Sequence, residues 1–209
     1  IAVVAATMPI VSILGQSERI IYRPNTLALS TDAFTQECGD NKLYSGMLFQ
    51  WTVLVKSTNG GQWRNASQRS SSQNPAMFKL PPYSLTVGMT YRITVSAQSV
   101  SSKTSTSAAV TVNVMQSDLQ ASIMGGYTKY VAPGQVLTLD ASESFDRDYQ
   151  KHELGYFIQS LTFTWTCWCV TPKLLPSCSS DMLDLTVQDK NAVGAVIPTL
   201  NAINFTFEI

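Results

Sequence analysis

The chain has 209 residues, with 14 basic against 14 acidic side chains and 44% apolar residues. Balanced, sparse charge excludes an electrostatic pull toward nucleic acid or an anionic bilayer, and the apolar share excludes wholesale disorder. The length is long for one β-sandwich and comfortable for two of about 100 residues each.

Residues 1–8 open an apolar run that Thr7 and Pro9 interrupt. A membrane span needs about 18 apolar residues and a signal peptide needs a basic leader, so neither fits. The run reads as a linker or the end of a preceding segment, and the chain as a piece of something longer. Alternation then predicts strands at Pro9–Leu14, Thr26–Ser30, Met47–Val55, Ala76–Leu80, Tyr91–Gln98 and Ala108–Met115. Thr58–Pro75 and Ser99–Ser107 are rich in turn formers and small polar residues and are expected as exposed loops, the first serving as mobile cover or, through Trp63 and Arg64, as a contact for a glycan or protein surface. No amphipathic helical stretch intervenes, so the predicted fold class is all-β, with antiparallel sheets.

In the second half, two alternating runs flank an acidic, serine-rich turn between Val136 and Trp168. Leu137 and Leu139 share one strand face, and Phe163 and Trp165 share another. The two runs are predicted to face each other across a sandwich.

An internal repeat ties the halves together. Leu27, Leu29 and Ser30 recur 110 positions later as Leu137, Leu139 and Asp140. Phe49 and Trp51 recur 114 later as Phe163 and Trp165, and Tyr91, Ile93 and Val95 recur, again 114 later, as Phe205, Phe207 and Ile209. Two tandem immunoglobulin-like sandwiches would produce this period. The expected domains are 9–116 and 117–209, with the boundary near Gln116–Asp118. The second copy stops at the equivalent of Val95, so its last strand is expected beyond Ile209 or from another chain by strand addition.

Leu85, Gly88 and Tyr91 form an L-x-x-G-x-x-Y approach to the penultimate strand of the first copy, locally similar to fibronectin type III domains. There a tyrosine hydroxyl bonds backbone upstream and fixes the corner between sheets. The second copy has Leu200 and Phe205 instead and must hold its corner by packing. Trp51 and Trp165 are expected as fillers between the sheets.

LTLDASESFDRD followed by LTFTWTC resembles polycystic kidney disease (PKD) repeats, whose motif runs L-D-A-S-x-S-x-D-x-D and then Y-x-W. A cysteine two residues after the tryptophan, Cys167, together with tandem sandwiches, resembles the receptor for egg jelly (REJ) region of polycystin-type surface proteins. The W-D-F-G-D-G segment of PKD repeats is replaced here by TCWCVTPKLLPSC, which favours the REJ likeness. The resemblance implies an extracellular, modular region that spaces, adheres or transmits force, with no catalytic residues and no cofactor.

Three of the four cysteines, Cys167, Cys169 and Cys178, crowd together too irregularly for a zinc ribbon. Alternation lets either Cys167 or Cys169 pair with Cys178, and the family resemblance implies Cys167. Cys38 and the leftover cysteine are expected free or bonded beyond this chain. A cytosolic chain with buried thiols is the alternative to an oxidising compartment.

Asn65-Ala66-Ser67 and Asn204-Phe205-Thr206 are N-glycosylation sequons, the first in the long polar loop and the second within an expected strand. In the acidic turn, Asp140, Asp146 and Asp148 are candidate oxygen ligands for calcium. The favoured reading is that Asp140, Ser142 and Ser144 cap backbone amides, because the spacing matches no dedicated calcium loop. His152 stands without a nucleophile elbow, HExxH or phosphate-binding glycine loop and reads as an exposed loop residue; carboxylate pairs such as Asp146 with Asp148 are not placed across a cleft.

These features point to a non-enzymatic interaction or spacer module in the extracellular part of a large receptor or adhesion protein, on a cilium or gamete by the family resemblance. Its expected partners are protein or glycan ligands and neighbouring domains of the same parent, with no nucleic acid and no direct membrane contact. The alternatives are a filament subunit whose neighbours complete an open edge, and the accessory part of a secreted hydrolase.

Overall fold

The computed structural model describes residues 8–36, 41–126, 128–130, 137–150, 161, 163, 166–169, 194–197 and 205–208. The chain divides into two compact units, Ile1–Ser117 and Asp118–Ile209. All regular structure among the described residues is β.

The first unit contains β1 (Pro9–Ile13), β2 (Glu18–Tyr22), β3 (Leu27–Gln36), β4 (Lys42–Leu43), β5 (Met47–Ser57), β6 (Gly60–Asn65), β7 (Met77–Leu80), β8 (Met89–Ser99) and β9 (Ser105–Met115). One sheet joins β1, β3 and β4, with β7 also paired to β3; the other runs β2-β9-β8-β5-β6. Their inward faces meet in one core: Leu27, Leu29, Phe78 and Leu80 from the first sheet close on Val53, Tyr91, Ile93, Val110 and Val112 from the second. Each large side chain removed from water here contributes about 1.5–3 kcal/mol. Alternation in β8 and β9 makes this packing possible, since every second residue is buried while the intervening ones face outward.

The predicted strands are present, and the structure corrects three expectations around them. First, the sheets are not purely antiparallel, because β2 pairs with β9 in parallel. After β1 the chain turns through Gly15, which adopts φ +94°. It then crosses to the other sheet, and Arg19 clamps the corner by donating to the carbonyls of Leu14 and Gln16. The segment ERIIY carries no clear alternation because its outer residues, Ile20 and Tyr22, are apolar yet exposed. Second, Thr58–Pro75 is not all loop. β5 turns at Thr58-Asn59 into β6, whose six residues are all exposed; the Asn59-Gly60 dipeptide was the available hairpin signal. The remainder is tied to β7 and to Ser84 by hydrogen bonds. Ser70 Oγ accepts the Lys79 amide at 3.0 Å, Ser71 Oγ donates to the Lys79 carbonyl at 3.1 Å, and Gln68 donates to the Ser84 carbonyl at 3.1 Å. Third, β8 runs through Ser99 and β9 starts at Ser105, so the expected loop at Ser99–Ser107 shrinks to a short turn.

The tyrosine corner is present. Tyr91, 2% exposed, accepts the Thr86 amide on its hydroxyl at 3.1 Å. Trp51 is half-buried, its ring 5.2 Å from that of Phe78, and its Nε1 donates to the Pro75 carbonyl at 2.9 Å. Trp165 lies outside the described residues.

The second unit contains β10 (Leu119–Gln120), β11 (Leu137–Asp140), β12 (Phe145–Asp146), β13 (Thr166–Cys169), β14 (Gly194–Ile197) and β15 (Phe205–Glu208). Its pairs are β10 with β12, β11 with β14 and β13 with β15, all antiparallel. Leu139, Ala141 and Phe163 are buried. Its registers repeat those of the first unit. Val53 faces Ile93 and Leu54 faces Arg92 in β5–β8; 114 positions later Cys167 faces Phe207 and Trp168 faces Thr206 in β13–β15. Likewise β3 runs antiparallel to β7 over Leu27–Ser30, and β11 to β14 over the repeat-equivalent Leu137–Asp140.

Candidate functional site

The middle of the outer face of the five-stranded sheet carries rows of short, uncharged side chains, with Ile20, Tyr22, Leu48 and Met115 exposed around them. Thr52, Thr94 and Ala109 stand in register across β5, β8 and β9, and so do Gln50, Ser96 and Ser107. Residues at these positions are exposed or half-buried because their strand neighbours occupy the core. At the top of the face the Thr90 hydroxyl donates to Asn113 Oδ1 at 2.8 Å and lies 3.3 Å from that of Thr58. Solvation here comes from hydroxyls and amides, with Arg92, Lys56 and Glu18 adding isolated charges of both signs. A face of this kind can contact a protein or glycan through hydrogen bonds without strong charge selection.

Edge strand β6 borders the face. Asn65 is opposite Leu54, and the register slips between Val55 and Ser57. The Lys56 ammonium sits over the Trp63 ring, 4.8 Å from its centroid, which places the ring on the outer side with Lys56. The Asn65 sequon is therefore on an exposed strand end, not in a loop as its polar surroundings in the sequence suggest. The other sequon asparagine, Asn204, lies outside the described residues.

The acidic turn of the second unit is organised by its own side chains. Asp140 accepts the Ser142 amide at 2.8 Å, and Asp146 accepts the Asp148 amide at 2.9 Å, both through Oδ1. Each closes a turn onto the residue two positions on. Ser144, buried, accepts the Ser122 amide at 3.0 Å and donates to the Ser122 carbonyl at 3.1 Å. Hydrogen bonds from Ser142, backbone first and hydroxyl second, hold the Asp140 carboxyl below the ordinary aspartate value, and Lys129 adds a smaller pull in the same direction. Asp148 is buried. Among the described residues no group of three or more His, Cys, Asp or Glu is placed to hold a metal ion.

Of the cysteines, Cys167 and Cys169 lie on β13; Cys38 and Cys178 are outside the described residues, as is His152. The expected pairing of Cys178 with Cys167 or Cys169 therefore falls outside what the structure describes. No helix among the described residues is long and apolar enough to cross a membrane.

In the first unit, two facing sheets and a tyrosine corner define an immunoglobulin- or fibronectin III-like β-sandwich. Within that class the chain belongs to the REJ domain family, whose profile matches residues 37–207. The match runs across the division between the two units. Among solved structures the chain is similar to three N-terminal domains of the bacteriophage RB49 highly immunogenic outer capsid protein (Hoc), at 11% identity and a TM-score of 0.28 over 95% of this chain and 61% of that one. It is also similar to fibronectin(III)-like modules of Clostridium thermocellum CbhA, at 12% identity and a TM-score of 0.27 over 91% of this chain and 80% of that one. No curated protein sequence matches the chain.

Proposed function

We propose that this chain is a non-enzymatic spacing and interaction module, two tandem sandwiches in the extracellular part of a large receptor or adhesion protein. The observation that carries the reading is the REJ match over residues 37–207. The equivalent strand registers at the 114-residue offset support two copies of one scaffold. A ciliary or gamete surface is the setting the family resemblance implies. The sparsely charged outer face of the five-stranded sheet is the surface offered to protein or glycan ligands, and neighbouring domains of the parent are its covalent partners.

The test is topological. An antibody raised against the 209-residue chain should stain intact cells that express the parent protein, and external trypsin should abolish the signal. Staining that appears only after permeabilisation would refute the extracellular assignment.

A further inference from the structure

We propose that Asn65 carries an N-linked glycan whose first sugar rests on the ring of Trp63, so that the edge of β6 is a built glycan seat. The proposal rests on the extracellular reading, since only a chain entering the secretory pathway meets the transferase.

Three features of β6 converge. Asn65 and Ser67 are both exposed, whereas Ala66 between them is half-buried against the core and its amide donates to the Val53 carbonyl at 2.9 Å. The acceptor amide and the hydroxyl that the transferase reads therefore both face solvent, held in place by an anchored middle residue. Trp63 lies two residues before Asn65, and in a strand such residues share a face with about 6.7 Å between them. Its position beside Lys56, and that of Asn65 beside Leu54, agree on which face that is. Finally, Trp63 is 37% exposed even with the Lys56 ammonium over its ring. A strand tryptophan that keeps this much contact with water has apolar surface still to be covered.

A β-linked N-acetylglucosamine on Asn65 is the right occupant. One face of that sugar is a patch of axial C–H groups, which packs on an aromatic face, while its hydroxyls and acetamido group stay in water. In the transfer, Asn65 Nδ2 forms a bond to C1 of the sugar. The bond from C1 to the oxygen of a lipid-linked diphosphate breaks, and one amide proton is lost to a base of the transferase. The attached glycan also screens a strand that ends the order β2-β9-β8-β5-β6 and, among the described residues, has a partner on one side only. Such an edge is otherwise a template for unwanted pairing.

The experiment secretes the full chain from human cells behind a cleavable leader and maps glycopeptides by mass spectrometry. The Asn65 peptide should carry N-acetylhexosamine, and that modification should vanish in Asn65→Gln. Trimmed to one N-acetylglucosamine, the wild-type chain should melt about 3 °C above Asn65→Gln. In a Trp63→Ala background the same comparison should give no difference. Independently of any substitution, NMR should show ring protons of the first sugar displaced upfield by the indole. An unmodified Asn65 in the folded secreted chain overturns the proposal. So does a sugar whose resonances are undisplaced, or whose stabilisation survives in Trp63→Ala. If the secreted chain is modified and stacked as described while the native parent is confined to the cytosol, the extracellular reading fails and the native Asn65 carries no glycan, which overturns the proposal for the native protein by a different route from a failed stacking.

Discussion

Tyr91 reaches back along its own chain to accept the amide hydrogen of Thr86 at 3.1 Å, and this bond closes the corner between the two sheets of the first unit. The hydroxyl is the only polar atom of a side chain that is otherwise core, so its loss separates packing from hydrogen bonding. In Tyr91→Phe the ring still fills its site, but the Thr86 amide loses its partner. The bond is part-buried and Thr86 itself is exposed, so water replaces some of what is lost and the net contribution is about 0.5–1.5 kcal/mol. Chemical denaturation should show a loss of about 1 kcal/mol with an unchanged m-value. A variant as stable as wild type would mean that the corner is held by packing alone.

Gly88, between Leu85 and Tyr91 in the same motif, adopts φ +73°, and nothing lies within 4 Å of where a Cβ would stand. The demand is conformational and not steric, because L side chains other than Asn and Asp avoid this region. Gly88→Ala should cost about 1 kcal/mol and Gly88→Asn distinctly less. Equal losses would place the cost in crowding, which the geometry does not show.

β2 and β9 are the parallel pair that joins the start of the first unit to its end. Pulling the unit by its ends loads this ladder in shear, so its hydrogen bonds bear force together. The Thr111 amide donates to the Ser17 carbonyl at 2.8 Å. In a parallel pair alternate residues face the partner strand, so the Arg19 amide points toward β9 and the Ile20 amide away from it. Single-molecule pulling should show a lower unfolding force for Arg19→Pro, with Ile20→Pro close to wild type. The same drop in both would remove the ladder from the mechanical path.

Asp140 makes the acidic turn pH-sensitive. Its carboxyl is held below the usual value of 3.8 by bonds from Ser142, so the folded state favours the ionised form. A depressed folded value means that the stabilisation is fully present above the unfolded value and is lost as pH falls through the folded one. The melting-temperature difference between wild type and Asp140→Asn should therefore be constant from pH 7 to about pH 5 and shrink below pH 4. Asp140→Ala, which also removes the acceptor, should cost about 1 kcal/mol at pH 7. A difference that grew on acidification would contradict the assigned direction.

Several parts of this molecule were legible in the residues alone. Period-two alternation placed the strands around Leu27, Trp51, Ile93 and Val110, because a half-buried strand must present every second side chain to the core. L-x-x-G-x-x-Y announced the corner at Tyr91, and short-range acid–serine spacing announced the capped turn at Asp140. The repeat, read from the residues alone, has a counterpart in the pairings: Cys167 faces Phe207 114 positions on from Val53 and Ile93. These are local or periodic signals, written where the chain is read. What the tertiary structure alone decided is pairing across distance: that the segment after Gly15 changes sheets and lies parallel to β9, and that a polar, glycine-rich run becomes the β6 edge. Asn59-Gly60 marks the turn into β6 locally, but neither the crossover after Gly15 nor how far β6 pairs along β5 is written in a residue's immediate neighbours. An exposed edge strand buries too little apolar surface to imprint an alternating pattern, so its position follows from backbone hydrogen bonds that only the assembled sheet can offer.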